Sequence, residues 1–472
     1  MRGNLDYAII QKKVTRVIRL SFNELYIWKN LSHIHMVESR YFVTYEDLVG
    51  YLELKTGFAP PQIIEGKGLF LGKFNKWFTN FEDVSSENVN WRCIFPDPKL
   101  NISYPYPIDE ITVACSLCSS PSAYDQANRI LNDYHLDASL SKRQTMTLSG
   151  GELLLLSFAK AQGLKDLTET LYVCTPTQWL HPTKYFLLEN LIKEYSDSGK
   201  TVSLLLLEGE QIETAPDNDL QEQEQVSSVQ VESLPWSLYI KNLLKIFDAQ
   251  TFPKNSPEKI IRYVPADFDR EFESPTLVTG DNGVGKSVFV KMLSNIYQPT
   301  TGRIAIRCLG NEGYARVLMQ DSLDQLFGET INDHFTRVFK FDKAKGKQAR
   351  ELYEKMLDEL RLAIKTDVRL RKMKLAASNS GTIETVLQVK FALVCERLAS
   401  KPPLLILDEP DWCLSRPVTG LFTSIVVNAA HKIHIPVLII THLRNWYSNL
   451  YKSVINLKIM ENPQEVHIEQ IN

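Results

Sequence analysis

The stretch GDNGVGKS, residues 280–287, fits the phosphate-loop pattern G-x-x-x-x-G-K-[ST] in full. Its chemistry is anion binding. Gly280, Gly283 and Gly285 let the backbone curl so that its N–H groups, that of Asn282 among them, face phosphate oxygens, and the following helix adds its positive end. Lys286 is placed to hold β and γ phosphates, and Ser287 to ligate Mg²⁺. An ordinary glycine-rich turn is the bland alternative. The apolar strand PTLVTG before the loop and the helical stretch SVFVKMLSNIY after it favour nucleotide binding.

Further along, KPPLLILDEP (401–410) ends an apolar run on two acids. Asp408 is placed to hold the magnesium through water, and Glu409 to take a proton from attacking water. IPVLIITH (435–442) ends another run on His442, within reach of a γ-phosphate; alone, a histidine there would be structural. A scaffold must bring these ends together. Buried strands alternating with helical stretches, with polar residues at their carboxyl ends, describe an α/β fold with a mainly parallel sheet whose site lies along that edge.

At these residues the sequence resembles the ABC ATPases, and the resemblance supplies further roles. Gln320 in VLMQDSLDQLFGETI matches the family's glutamine loop, which senses the γ-phosphate and magnesium and touches a membrane partner. Phe252 in QTFPKN stands where the family places an aromatic that stacks on adenine. The run MQDSLDQLFGETIND is similar to the ATPases of energy-coupling-factor and cobalt-type importers. The family's LSGGQ signature is missing before KPPLLILDEP, where either 379–383 (NSGTI) or 384–388 (ETVLQ) falls in its slot.

That signature appears elsewhere. TMTLSGGELLLL (145–156) carries LSGGE about 130 residues ahead of the only phosphate loop in the chain. Ser149, Gly150, Gly151 and Glu152 would present a hydroxyl, backbone N–H groups and a helix dipole to a nucleotide. Ser149 with Glu152 is equally a capping box for an apolar helix.

A length of 472 residues allows two domains. The stretch between Leu207 and Trp236 is rich in Glu, Gln, Asp and Ser and reads as a solvated linker. The expected organisation is a degenerate ABC ATPase domain over 1–207, an acidic polar linker over 208–235 and an intact ABC ATPase domain over 236–472. Aligned by eye on the second domain, the first places Tyr45, Leu48, Tyr51 and Leu52 at Gly280, Gly283, Lys286 and Ser287, with Gly50 beside Gly285. Pro96 stands at the glutamine, Cys174 and Thr175 at the two acids, and Gly209 near the histidine.

In the family, two P-loop NTPase domains, each with a helical subdomain, pack head to tail and share each ATP between one loop and the other's signature. The resemblance therefore implies one competent ATP site, joining Lys286, Ser287, Asp408, Glu409, Gln320 and His442 to Ser149–Glu152. Ser415 replaces the aspartate usual just past the acidic strand, which weakens the expected communication between sites.

The implied function is an ATPase energising a membrane transporter, an energy-coupling-factor-type importer of a vitamin or metal ion. Expected partners are a transmembrane permease or coupling subunit, with a substrate-binding membrane subunit as a further candidate, at the cytoplasmic face of the membrane. The alternatives are a soluble twin ABC ATPase acting on ribosome or DNA, and an exporter motor. With 53 basic against 56 acidic residues and no basic block, no nucleic acid is expected. The seven cysteines are scattered apart from Cys115 and Cys118, a lone CxxC that reads as incidental and suits a reducing compartment. No run of about 18 apolar residues occurs, and MRGNLDYAIIQKKVTRVI lacks a signal-like apolar core. Membrane attachment is expected through the partner.

Overall fold

The computed structural model describes residues 37–52 in part, 91–209, 259–366 and 386–471 with short interruptions, and 233–247. Two sheets organise them. In the first unit β1 (Val37–Phe42), β2 (Trp91–Ile94), β3 (Thr170–Cys174) and β4 (Thr201–Leu207) pair in parallel in the order β1-β4-β3-β2. Helices α1 (Pro107–Leu117), α2 (Ala123–Asp133), α3 (Gly150–Gly163) and α4 (Tyr185–Asp197) accompany it.

The second unit holds an 11-stranded sheet. Its strands are β5 (Leu234–Phe247), β6 (Lys259–Val264), β7 (Asp267–Ser274), β8 (Thr276–Gly280), β9 (Thr301–Cys308), β10 (Asn311–Gly313), β11 (Arg316–Leu318), β12 (Leu405–Asp408), β13 (Val437–Ile440), β14 (Ser453–Ile459) and β15 (Glu465–Ile471). They run β10-β9-β5-β6-β15-β14-β8-β13-β12-β11, with β7 paired to β5. The β14-β8-β13-β12-β11 half is parallel, and the β5, β7, β9 and β10 wing is antiparallel. Its helices are α5 (Lys286–Leu293), α6 (Ile331–Val338), α7 (Lys343–Thr366), α8 (Val386–Ala399) and α9 (Arg416–Lys432).

Apolar runs become parallel strands because both sheet faces are covered. Alternate residues serve the two faces. Leu405, Leu407, Val437 and Ile439 pack with Phe391 of α8 and Phe422 of α9, whereas Ile406, Leu438 and Ile440 pack with Phe289 of α5 and Trp236 of the wing. In the first unit Leu171, Val173, Leu204 and Leu206 meet Leu154, Phe158 and Leu191, while Cys174, Leu205 and Leu207 meet Leu48 and Leu52. Each such fully buried side chain contributes roughly 1.5–3 kcal/mol, which fixes the height of every strand end.

The first sheet repeats the parallel order of the second, β1-β4-β3-β2 against β8-β13-β12-β11. The pairing also fixes equivalent positions. Cys174 lies opposite Leu205, and Leu205 opposite Arg40. Asp408 lies opposite Ile440, and Ile440 opposite Val278. Two residues beyond, Phe42 therefore stands level with Gly280. Ile94 lies opposite Val173 as Leu318 lies opposite Leu407, so Pro96 follows its strand as Gln320 follows its own.

This register corrects the alignment by eye of the first loop. Tyr45, Asp47, Leu48, Tyr51 and Leu52 are already helical, so the residues set against Gly280, Gly283, Lys286 and Ser287 lie past the strand end at Phe42, in a helix. The repeated Val-Thr step does not match by register: Val43-Thr44 follows Phe42 in the sequence, whereas Val278-Thr279 precedes Gly280 within β8. The expected linker is also shorter at its end, because Leu234 and Pro235 already pair with Ser274 and Glu273. The rest of it, 210–232, lies outside the described residues.

The units join at the ends of β3 and β12. Val386, Trp412 and Cys413 belong to the hydrophobic core of the first unit, and the Arg416 N–H donates to the Glu208 carbonyl at 2.8 Å. Gly209, at φ +93°, lies against this seam, where a Cβ would stand 2.3 Å from that of Arg416.

Candidate functional site

Gly280 ends β8 at φ +149°, and a Cβ there would lie 2.5 Å from the Leu457 carbonyl oxygen. Only glycine fits this approach. Gly285, at φ +102°, turns the chain into α5, and Tyr263 donates its hydroxyl to the Gly285 carbonyl at 3.2 Å. Lys286 opens the helix almost buried, its ammonium donating to the Gly280 carbonyl at 2.7 Å. The lysine thus lies folded across its own loop. Ser287 is exposed in the first helical turn, where its hydroxyl can be reached. Asn282 and Gly283 lie outside the described residues, as do His442 and Phe252.

Asp408 closes β12 and Glu409 follows it, both buried. The Gln320 carboxamide donates to the Glu409 carboxylate, which places Gln320 and Glu409 in one cluster. Burial pushes the Asp408 carboxyl up to about 7, the neighbouring Glu409 charge adds to the rise, and Lys286 opposes it. Glu409 is also raised, by burial first, with Lys286 and Lys390 opposing. Buried acids facing a lysine want a cation beside them.

The oxygen donors present suit magnesium: the Ser287 hydroxyl, the Asp408 carboxylate and the Gln320 carboxamide are all hard ligands. Among the described residues no group of three or more His, Cys, Asp or Glu could cage a metal.

The signature residues lie in the other unit. Ser149 caps α3: its hydroxyl accepts from the Glu152 N–H at 3.3 Å, and the Glu152 carboxylate accepts from the Ser149 N–H at 2.6 Å. The capping box is real, and Ser149 remains exposed beyond it. Gly150 rests on an indole ring, since a Cβ there would come within 2.1 Å of Trp179. Gly151 is buried in the first turn. Of the second signature slot only 386–388 are described, as the opening of α8.

Some residues near the site were not legible as functional. Lys390 is fully buried in α8 and donates to the Pro410 carbonyl at 3.0 Å, beside Glu409. A lysine inside the apolar run VLQVKFALV was the available signal. Asp411 accepts from the Tyr447 hydroxyl at 2.8 Å, and Gln178 reaches over from the first unit to the same turn. Neither carries a motif.

At positions equivalent by register, the first sheet offers Cys174 and Thr175. Thr175 keeps the left-handed backbone of Glu409 without its carboxylate, and its buried hydroxyl has no hydrogen-bond partner among the described residues. The buried strand-end acids lie in the second unit.

Residues 266–411 match the model of the ABC transporter family. The chain is 28% identical over 200 residues to ribose import ATP-binding protein RbsA 2 of Streptomyces coelicolor, covering 41% of this chain and 36% of that protein. It is 29% identical over 186 residues to energy-coupling factor transporter ATP-binding protein EcfA of Carboxydothermus hydrogenoformans, covering 37% of this chain and 63% of that protein. The chain thus spans little more than a third of the ribose import relative's length. Across 93% of this chain and 75% of the other, the fold is like that in a model of ribosome-bound archaeal Pelota and ABCE1, with a TM-score of 0.54 and 15% identity. Residues 266–411 of the second unit therefore carry an ABC transporter domain, and the chain is similar to ABC ATP-binding proteins.

Proposed function

We propose that this chain is the ATPase of a membrane transporter, with one competent ATP site assembled from the second unit's loop and acids and the first unit's signature. The observation that carries this reading is the division of parts. Along equivalent strand ends, the second sheet holds Asp408, Glu409 and Gln320 where the first holds Cys174, Thr175 and Pro96, yet the first holds the intact capped LSGGE. Decay of a whole domain would not have spared only the part that serves its neighbour.

On ATP binding Lys286 exchanges the Gly280 carbonyl for the β and γ phosphates. Ser287, Asp408 and Gln320 would hold magnesium, which supplies charge shielding to the phosphates when bound. Glu409 accepts the proton of the attacking water as its oxygen bonds to the γ-phosphorus and the β–γ bridge breaks, leaving ADP and phosphate. His442 would meet the γ-phosphate and Phe252 the adenine. Ser149, Gly150, Gly151 and Glu152, at the N-terminus of α3, would close over the nucleotide from the first unit.

The transporter is proposed to be an energy-coupling-factor-type importer of a vitamin or metal ion. The glutamine-loop wording MQDSLDQLFGETIND and the similarity to EcfA support that class. No described helix is long and apolar enough to cross a membrane, so a transmembrane permease subunit would hold the chain at the cytoplasmic face. Purification of the tagged full chain from detergent extracts tests this. Co-purification of a multi-span protein is expected, and recovery only with ribosomes would overturn the transporter reading.

A further inference from the structure

The seam between the units reaches the turn after Glu409 through the residues that follow β3. Gln178 follows β3 in the first unit and is 1% exposed. Its carboxamide clasps the turn after Glu409 from the second unit. Nε2 donates to the Asp411 carbonyl at 3.4 Å and the Leu414 carbonyl at 3.2 Å, while Oε1 accepts from the Cys413 N–H at 3.0 Å. Trp179 adds an edge-to-face contact to Trp412, with centroids 6.0 Å apart at 72°.

The clasped turn has a second arm. The Asp411 carboxylate accepts from the Tyr447 hydroxyl at 2.8 Å and is also hydrogen-bonded to the Thr441 side chain. Thr441 immediately precedes His442, and Tyr447 closes the short helical segment Arg444–Tyr447 that follows it. The two contacts bracket His442. The Trp412 N–H donates to the Glu409 carbonyl at 3.1 Å, so the same turn continues directly from Glu409.

We propose that Gln178 is a positioning residue for hydrolysis in the second unit: it fixes the 411–414 turn, which continues from Glu409, and through Asp411 it ties that turn to Thr441 and Tyr447. The proposal rests on the reading that the second unit hydrolyses ATP. It gives the first unit a duty that persists even with its own strand-end acids gone. A small displacement of reacting groups is enough to slow turnover, so a clasp touching no substrate has a kinetic effect.

The test uses the full chain with Gln178→Met, which keeps length and apolar volume but removes the amide, and Tyr447→Phe, which removes one hydroxyl. Each should lower kcat roughly tenfold or more, with KM and ATP affinity within about twofold of wild type. The double variant should be no slower than the slower single one, as expected for one path. Unchanged kcat in both single variants, or losses that multiply, overturns the proposal. Amide exchange over 443–450 in nucleotide-free protein is the readout that needs no turnover. It should rise in Gln178→Met, and unchanged exchange likewise overturns the clasp. Absent turnover in wild type would instead reject the hydrolysis reading, and the exchange result would still decide the clasp.

Discussion

Thr175 and Glu409 occupy the same place in two sheets. Each directly follows its strand in the left-handed region, at φ 42° and 47°, and each donates its N–H at 2.8 Å, to the Leu205 and Ile440 carbonyls. The backbone that presents a base has been kept where the base itself is gone. A strained corner that persists without its chemistry marks the first sheet as a structural counterpart of the second.

Thr175→Val should leave stability within about 1 kcal/mol of wild type, because the hydroxyl it removes is buried without a partner among the described residues. Thr175→Glu should destabilise, placing a carboxylate in a fully buried site. Denaturant midpoints read both. Thr175→Glu should not create a second nucleotide site, since the first unit's sequence after Phe42 carries no G-x-x-x-x-G-K-[ST] pattern.

Glu409→Gln should lower ATP turnover by about 10²–10⁴ while leaving nucleotide binding in place. The amide removes the proton acceptor. Phosphate release and equilibrium ATP binding, measured side by side, separate the effects. Undiminished release would reject Glu409 as the base.

The nucleotide-free protein should lose stability as pH rises. Asp408 starts from an ordinary value of 3.8 and is pushed up to about 7 by burial, so the folded state binds the proton that the unfolded state releases between those limits. Its contribution is full below about 4 and lost on passing about 7. Asp408→Asn should flatten this fall and raise the melting temperature at pH 8. A wild-type profile flat from pH 4 to 8, with Asp408→Asn no more stable, would contradict the burial argument.

Gly150→Ala should cost about 1–3 kcal/mol, because the new methyl would press on Trp179. Melting temperature reads the loss. Gly150→Ala combined with Trp179→Phe, a smaller ring, should recover part of it.

Motif chemistry was the legible part of this chain. The phosphate loop and the acidic strand each need particular residue types at fixed spacing, and Lys286, Asp408 and Glu409 lie together as that spacing implied. The capping box at Ser149 and Glu152 was readable for the same reason. Register was not readable, because side chains identify a strand better than its end, and a repeated Val-Thr step outweighed the pairing of Phe42 with Leu207. Contacts across the seam were invisible. Gln178 meets Cys413 from 235 positions away, and no local pattern announces such a pair.

The central claim is that Ser149 and Lys286 serve one nucleotide from two units. The most direct measurement is ATP turnover by Ser149→Arg in full-length chain shown by light scattering to be monomeric. A shared site predicts that turnover falls to the level of Lys286→Ala, with melting temperature close to wild type because Ser149 is exposed. Turnover equal to wild type in that monomer would show that the second unit works without the first unit's signature.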